Sequence, residues 1–399
     1  MRRINLDNAQ AARSSTIRDI NRQIVLNYVR EREPISRAEI ARETALQRST
    51  VSTIIEGLKS DGLVEEIGAG ESTGGRRPTL LRLRAAGALA VGVDITPTHT
   101  TVATSDLAGR VLRRESFLTD PASKKTTEQV VALVRKLTGR GGKVLIEGIG
   151  VSVPGLVDPQ TGVAIDIPYF KWRDWPVANE ISARTNLEVV VDNDANSAAL
   201  AELWFGRPEV REARDFILVF IGEGVGTGIV FDGQIYRGAR GAAGEFGHMI
   251  VGQEAPTECS CGNRDCWEAF ASGRAAVARY LQKNKQRKKA QPVNFEILIE
   301  RALEGEPAAV EALSETARYI GIGISNLIVG LSPKTVVVGG AITSAWSLVA
   351  GAMEEATGRS VRRGLPSVSV LPSTLGEQPT LMGAVSLILA RKFASAAAA

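Results

Sequence analysis

The sequence predicts an α/β protein whose first 84 residues form a winged helix-turn-helix. Two helix patterns joined by a tight turn fill residues 36–60, and two alternating strand patterns with a glycine-rich connection follow them. From residue 85 onwards, strands and helices alternate along the chain, which is typical of α/β folds. The length of 399 residues allows two or three domains.

Two helix starts are visible in the first 40 residues. Ser14 and Ser15 are suitable N-caps for a helix whose apolar residues recur at helical spacing through residue 28. Ser36 and Glu39 then form a capping box, in which each side chain bonds the backbone N–H of the other residue. We expect the second of these helices to be short and to end near residues 43 and 44.

The third helix presents an apolar face to a core and a polar face to solvent. Gly62 follows it, at the place where glycine commonly stops a helix. The apolar residues are Val51, Ile54, Ile55 and Leu58. The polar face offers side chains that bond base edges and phosphates in a major groove. They are Gln47, Arg48, Ser49, Thr50 and Ser52. A small helical bundle with a polar outer face is the alternative at this point.

Residues 63–83 favour a winged module over that bundle. Alternating patterns at 63–67 and 79–83 predict two strands joined by a glycine-rich connection. Arg76 and Arg77 stand near the end of this connection, where a wing meets phosphates or the minor groove. Residues 1–84 hold 15 Lys and Arg against 11 Asp and Glu, a surplus equal to the net charge of the chain, +4. A basic head on a neutral body suits double-stranded DNA as a partner.

The composition argues against a membrane protein and against a disulfide framework. No run approaches 18 consecutive apolar residues, and the N-terminus lacks the apolar core of a signal peptide. We therefore expect a cytoplasmic protein with no membrane partner. The three cysteines fall within eight residues, which favours a metal site.

Four polar or glycine-rich elements follow one another in the body. A buried strand at 189–191 leads into Asn193 and Asp194, at the strand end where α/β folds place ligand groups. A glycine turn at 222–228 lies between two apolar strands. The series continues with Gly244-Glu245-Phe246-Gly247-His248 and closes with Cys259, Cys261, Cys266 and Glu268.

The last two elements match G-E-x-G-H and C-x-C-G-x-x-x-C-x-E, and with them the chain resembles the ROK family of repressors and sugar kinases. The resemblance covers essentially the whole chain, including the winged module of the family's repressors. It implies a two-lobed actin-like, sugar-kinase domain of the ribonuclease H-like kind. The first lobe would span residues 85–192 and be completed by a C-terminal helix at 380–393. The second lobe would span 193–379 and contain the metal loop.

The resemblance also implies a sugar site and a homodimer or higher homo-oligomer bound to a palindromic operator. The family's sugar ligands are amide, imidazole and carboxylate groups, which suit neighbouring hydroxyls. In this chain they fall on Asn193, Asp194, Glu245, His248 and Glu268. For Asp194, capping of the following helix is the structural alternative. The family's kinases place an Asn shortly before the residue that Trp172 resembles, and the loop at 166–175 lacks it, so the identity of the sugar is open.

One histidine and the three cysteines supply a complete Cys₃His ligand set for a tetrahedral, structural zinc. The four ligands are His248, Cys259, Cys261 and Cys266. A reduced cysteine cluster without metal is the alternative. Ligation through one imidazole nitrogen leaves the other free to contact the sugar, which would couple the two sites.

The chain departs from the family's kinases where ATP phosphates bind. The kinases carry D-x-G-G-T, whose backbone N–H groups approach the phosphates. Here Asp94 is followed by Ile95, Thr96 and Pro97, which add a branched side chain and remove a donor. We therefore expect no enzyme and no catalytic residue, although Asp194 would be the base of a kinase.

The function expected from these patterns is a sugar-responsive, DNA-binding transcription regulator that represses genes of carbohydrate metabolism. A ROK-type, ATP-dependent sugar kinase with an appended DNA-binding module is the first alternative. A regulator controlled by a protein partner, with a vestigial sugar site, is the second.

Overall fold

The structure is a computed structural model that describes residues 14–70, 77–139, 144–284, 292–361, 364–376 and 378–393. The predicted fold class is confirmed. A winged helix-turn-helix precedes two lobes, and each lobe is built around a mixed five-stranded sheet.

The winged module consists of helices and a small antiparallel sheet. Its elements are α1 (Ser14–Arg32), β1 (Ile35–Ser36), α2 (Arg37–Thr44), α3 (Arg48–Ser60), β2 (Val64–Ala69) and β3 (Thr79–Leu83). The strand order is β1-β3-β2. β2 and β3 form the two sides of the wing, and residues 71–76 of their connection, including Arg76, lie outside the described residues.

The predicted capping box is formed at the start of α2. Ser36 Oγ accepts the backbone N–H of Glu39 at 3.3 Å, and the Glu39 carboxylate accepts the backbone N–H of Ser36 at 2.8 Å. These bonds satisfy two donors that the start of a helix leaves unpaired. After α2, Ala45 adopts a left-handed φ of 57°, which turns the chain tightly into α3.

The first lobe is built on a mixed sheet, with two parallel strand pairs at one side and two antiparallel pairs at the other. Its elements are β4 (Ala88–Ile95), β5 (His99–Asp106), β6 (Val111–Leu118), α4 (Ser123–Thr138), β7 (Leu145–Val153), β8 (Leu156–Asp158), β9 (Val163–Ile167), β10 (Trp172–Trp175), α5 (Val177–Thr185) and β11 (Val189–Asn193). The main sheet has the order β11-β7-β4-β5-β6, and β10-β9-β8 form a smaller antiparallel sheet. α4 and α5 share a buried apolar core with both sheets.

The second lobe has a sheet of the order β14-β13-β12-β15-β16. Its elements are α6 (Asp194–Phe205), α7 (Pro208–Glu212), β12 (Phe216–Ile221), β13 (Val225–Phe231), β14 (Gln234–Ile235), α8 (Trp267–Ala271), α9 (Gly273–Lys283), α10 (Phe295–Leu303), α11 (Pro307–Leu331), β15 (Thr335–Gly340), α12 (Trp346–Ser360) and β16 (Ser369–Pro372). The largest buried core of the protein lies between this sheet and the helices α8 to α12.

The last helix, α13 (Pro379–Phe393), returns to the first lobe. It packs against β4 and β7, where Val385 contacts Gly92 and the backbone of Ala384 contacts Gly150. α6 lies between α13 on one side and β13 on the other. The helix that begins at Asn193 and Asp194 is therefore held by both lobes.

Element boundaries differ from the sequence prediction by a few residues. The strand expected at 63–67 spans Val64–Ala69, and the buried strand expected at 189–191 spans Val189–Asn193. Such shifts are usual, since hydrophobic periodicity locates the centre of an element better than its ends. Across the described ranges, every helix is too short or too polar to cross a membrane.

Candidate DNA interface and ligand cleft

α3 presents its polar face away from the core of the winged module. Val51, Ile54, Ile55 and Leu58 are buried, as their spacing predicts. On the opposite face, Gln47, Arg48 and Ser49 are exposed, and Thr50 and Ser52 are partly exposed. The side chain of its N-cap residue, Gln47, accepts none of the first backbone N–H groups of the helix. Such a helix start suits a phosphate or a base edge.

Some arginines of the winged module form ion pairs with carboxylates, and others do not. Arg37 forms ion pairs with Glu56 and Glu66 at 2.6 and 2.8 Å. Arg48 and Arg77 have no ion pair with any residue that the structure describes. Arg77 is exposed at the base of the wing. Of the three arginines that the sequence assigns to DNA, these two thus have no ion-paired carboxylate among the described residues.

The four predicted metal ligands converge in one place. Their ligand atoms, on His248, Cys259, Cys261 and Cys266, lie within 4.8 Å of one another. Cys261 Sγ is 3.7 Å from Cys266 Sγ, and Cys259 Sγ is 3.3 Å from His248 Nδ1. Two thiolates bound to one zinc at tetrahedral angles lie about 3.8 Å apart, given a Zn–S bond of about 2.3 Å. The donor types and their spacing therefore fit a tetrahedral Cys₃His site.

Burial raises the pKa of the thiols of Cys259 and Cys266. Burial alone thus favours the protonated thiols, whereas a bound cation would favour the thiolates, because it stabilises their charge directly. The cluster is also continuous with the chain that follows it, since Cys266 is the N-cap residue of α8.

His248 connects the metal ligands with the cleft, by which we mean the space around Asp94, Asp194 and Glu245. Its Nδ1 faces Cys259, and its Nε2 lies 3.5 Å from a carboxylate oxygen of Glu245. The imidazole can therefore bind a metal through one nitrogen and present the other to the Glu245 side. Glu245 is exposed at the cleft surface, and desolvation of its carboxyl raises its pKa.

Glu268 is a buried carboxylate in the first turn of α8, with 6% of its surface exposed. One oxygen accepts the guanidinium of Arg274 at 3.0 Å and the hydroxyl of Ser260 at 3.3 Å. The other accepts the backbone N–H of Val225 at 3.3 Å. Glu268 thus joins the metal loop to the start of β13, and Arg274 compensates its charge.

Asn193 and Asp194 divide two roles between them. Asn193 is the N-cap of α6, because its Oδ1 accepts the N–H groups of Ala195 and Asn196 at 2.8 and 3.2 Å. Its Nδ2 donates to the carbonyl of Gly155 at 2.9 Å, which ties the helix start to the first lobe. Asn193 thus occupies the cap position considered for Asp194, and Asp194 Oδ1 also accepts the N–H of Ala195 at 2.8 Å.

Asp194 lies next in the cleft among other carboxyl groups. Its pKa is raised to about 7, first by burial and then by the charges of Asp94 and Glu245. Asp94 on β4 accepts the hydroxyl of Thr380 at 2.7 Å, and burial raises its pKa to about 6. These carboxyl groups come from β4, α6 and the segment before the metal loop, and Asp194 lies close enough to the other two for their charges to raise its pKa.

Three residues around the cleft escaped sequence reasoning. Arg237 binds Asp192, the last residue but one of β11, through two contacts of 2.8 and 2.7 Å to one oxygen. Arg274 binds Glu268 as described above. Both ion pairs join different elements of the fold, and no local spacing in the sequence indicates them.

The third residue, Tyr169, belongs to the loop at 166–175, whose aromatic residues could stack on a sugar or close a lobe interface, but the sequence did not single it out. Its hydroxyl lies 3.2 Å from the position that a Cβ on Gly224 would occupy, and an oxygen of Glu268 lies 2.2 Å from the same point. Any side chain at Gly224 would collide with Glu268. Burial and the neighbouring Glu268 charge raise the pKa of Tyr169. The first lobe thus reaches across the cleft to the second through this side chain.

The segment that departs from the kinase pattern forms a closed turn. The hydroxyl of Thr96 donates to the carbonyl of His99 at 2.8 Å and lies 3.1 Å from its backbone nitrogen, which donates to it. The backbone N–H of Thr96 donates to the same carbonyl at 2.9 Å. The backbone N–H groups of Thr96 and His99 therefore donate within the turn between β4 and β5, and Pro97 has no N–H group.

Known proteins resemble this chain in both of its parts. A sequence model of the ROK family matches residues 90–391, and a model of the MarR family matches residues 24–77. The xylose repressor of Bacillus subtilis is 30% identical over 377 residues, which cover 94% of this chain and 96% of the repressor.

Two solved structures resemble the fold. A ROK family transcriptional regulator, described as a homologue of the Escherichia coli MLC protein, has a TM-score of 0.81 at 24% identity. That match covers 94% of this chain and 97% of the regulator. A ROK family glucokinase from Streptomyces griseus, in complex with glucose and AMPPNP, has a TM-score of 0.68 at 30% identity. It covers 75% of this chain and 99% of the glucokinase.

Proposed function

This chain belongs to the ROK family, and we propose that a small sugar bound in its cleft controls the binding of its winged module to operator DNA. It is a transcription regulator of the repressor kind, similar over nearly its whole length to a xylose repressor. We assign DNA contacts to Gln47, Arg48, Ser49, Thr50, Ser52, Arg76 and Arg77.

The sugar site that we propose comprises Asn193, Asp194, Glu245, His248 and Glu268. The observation that carries it is the position of His248, whose two nitrogens face Cys259 and Glu245. One ring can thus bind a metal and order the carboxylates that accept sugar hydroxyls. The cleft lies between the two lobes, where ligand sites of α/β folds commonly occur.

We propose that a structural zinc occupies the Cys₃His cluster. The spacing of the ligand atoms suits tetrahedral coordination, and four protein ligands leave no open position for catalysis. When bound, the metal stabilises the loop from residue 248 to α8 and thereby fixes Glu268 in the cleft.

We propose that the chain is not an enzyme. The closed Thr96–His99 turn supports this, because its N–H groups already donate within the turn, whereas a phosphate would need them as donors. The likeness to a glucokinase covers 75% of the chain, whereas the likeness to the xylose repressor covers 94% of it. Release of ADP in the presence of ATP and glucose or xylose, abolished by Asp194→Asn, would overturn this proposal and favour the kinase alternative.

The remaining assignments are also proposals. We place the domain boundaries at 1–84, 85–192 and 193–379, with residues 380–393 completing the first lobe. α13 supports that last point, because it packs against β4 and β7. The protein would act in the cytoplasm as a homodimer or higher homo-oligomer, since a two-fold protein matches a palindromic operator.

Sugar binding is expected to raise the unfolding temperature of the protein, since a ligand that binds only the native state stabilises it. A thermal-shift panel that includes xylose and glucose measures this. Glu245→Ala should abolish the shift, whereas Glu258→Ala, which removes an exposed carboxylate nearby, should keep it. A panel without any shift, or an unchanged shift in Glu245→Ala, would contradict the proposed sugar site.

A further inference from the structure

The winged module and the body share one hydrophobic core. Val25, Leu26 and Val29 of α1 belong to the same buried cluster as Ile388 and Phe393 of α13. The module is therefore packed onto the body and does not depend on its covalent linker alone. A change in the body can reach the DNA-binding helices through this contact.

Arg30 lies at the centre of the contact. Its guanidinium carbon is 4.1 Å from the ring centroid of Trp204 and 4.8 Å from that of Phe393. The two rings are 5.9 Å apart, and Asn27 donates a hydrogen bond of 2.5 Å to the carbonyl of Phe393. Burial lowers the pKa of Arg30, which agrees with a desolvated cation on aromatic faces. Such contacts strengthen when water is excluded.

Trp204 connects this contact with the cleft, because it belongs to α6. The same helix starts at Asp194 and is capped by Asn193, two residues of the proposed sugar site. Its 12 residues span about 18 Å at 1.5 Å per residue. One short helix thus joins the sugar site at its N-terminal end to α1 at its C-terminal end.

α6 is too tightly packed to bend between these ends. A Cβ on Gly228 of β13 would lie 2.5 Å from the Cβ of Ala199. A Cβ on Gly383 of α13 would lie 2.2 Å from the backbone of Ser197. Both sides of the helix therefore touch a neighbour directly, and a shift at its first turn moves the helix as a unit.

We propose that α6 transmits sugar binding to the winged module, and that Trp204 and Arg30 are the positioning residues that couple the two sites. The inference rests on the proposed function. Sugar contacts at Asn193 and Asp194 displace α6, and the Trp204 ring carries Arg30 and α1 with it. This changes the orientation of α3 relative to DNA without any change in the residues that contact either ligand.

The test compares Trp204→Leu and Arg30→Met with the wild-type protein. The control is Arg32→Met, which changes an exposed arginine on the same helix. The DNA probe is a duplex that the wild-type protein selects from a random pool, and the sugar probe is whichever of xylose and glucose shifts its unfolding temperature. The dissociation constant for DNA is measured with and without saturating sugar, and sugar affinity is measured without DNA.

The wild type and Arg32→Met are expected to show a change of at least about fivefold in DNA affinity on adding sugar. In Trp204→Leu and Arg30→Met, the ratio of the DNA dissociation constants with and without sugar should fall below about twofold. Sugar affinity without DNA should stay near that of the wild type. If the contact only anchors the module, DNA affinity falls but the ratio survives, and the inference is wrong. If Trp204→Leu does not fold, Arg30→Met decides, because it removes no ring. A wild-type protein that binds sugar without any change in its DNA affinity would contradict the proposed function itself.

Discussion

Replacing Cys266 by Ser is expected to lower sugar affinity by about 10- to 100-fold, the usual cost of disturbing the support of a metal site. Cys266 is both a predicted zinc ligand and the N-cap residue of α8, whose first turn carries Glu268. Without the metal, neither His248 nor Glu268 keeps its orientation in the cleft. The core that holds the winged module contains no residue of the segment 248–268, so DNA affinity without sugar should change by less than about threefold.

Calorimetric titration with sugar, together with metal analysis of the purified protein, measures this effect. Arg264→Ala is the matched control, because Arg264 is exposed in the same loop and supplies no ligand atom. We expect it to retain both metal and sugar affinity. Wild-type sugar affinity in a metal-free Cys266→Ser protein would show that the cluster is not needed to order the cleft.

Arg48→Ala is expected to lower affinity for the selected duplex by about 5- to 150-fold, the range that a base contact of about 1–3 kcal/mol provides. Arg48 is the first residue of α3 and is exposed at an uncapped helix start. Affinity for unrelated DNA should fall much less. Arg77→Ala should instead weaken binding to both duplexes and reduce the salt slope by about 1, as loss of a phosphate contact does.

Filter binding or fluorescence anisotropy at several salt concentrations separates these cases. Arg37→Ala is the control on the neighbouring helix, because its guanidinium is already paired with Glu56 and Glu66. It should leave DNA affinity nearly unchanged. Equal losses for Arg48→Ala on selected and unrelated duplexes would mean that α3 does not read sequence through this residue.

Local signals in the sequence were sufficient to predict the winged module. The capping box of Ser36 and Glu39 needs only four consecutive residues, and the spacing of Val51, Ile54, Ile55 and Leu58 needs only one helix. Both signals act between neighbours in the chain, so they survive without knowledge of the tertiary fold. The metal ligands were also predictable, because three of the four lie within eight residues.

Contacts between distant segments could not be predicted in this way. Arg237 and Asp192 are 45 residues apart, and Arg30 and Trp204 belong to different domains. Their pairing depends on how α6, α13 and the two sheets pack. The role of Asn193 illustrates the same limit: sequence reasoning considered Asp194 as the cap of α6, and the structure gives that role to its neighbour.

The reason for Gly224, just before β13, and for Gly228, within it, is visible only in the three-dimensional structure. In the sequence, both belong to the glycine turn at 222–228. In the structure, a side chain at Gly224 would meet Glu268, and one at Gly228 would meet Ala199 of α6. Close packing around the cleft therefore explains these glycines without a nucleotide.

The measurement that tests the central proposal most directly is a DNA titration at fixed salt with and without sugar. It uses the wild-type protein, the duplex that this protein selects, and a sugar already seen to raise its unfolding temperature. We expect the dissociation constant for DNA to change by at least about fivefold when the sugar is saturating, which corresponds to about 1 kcal/mol of coupling. Superimposable titration curves in the presence and absence of a sugar that demonstrably binds would show that the cleft does not control the winged module.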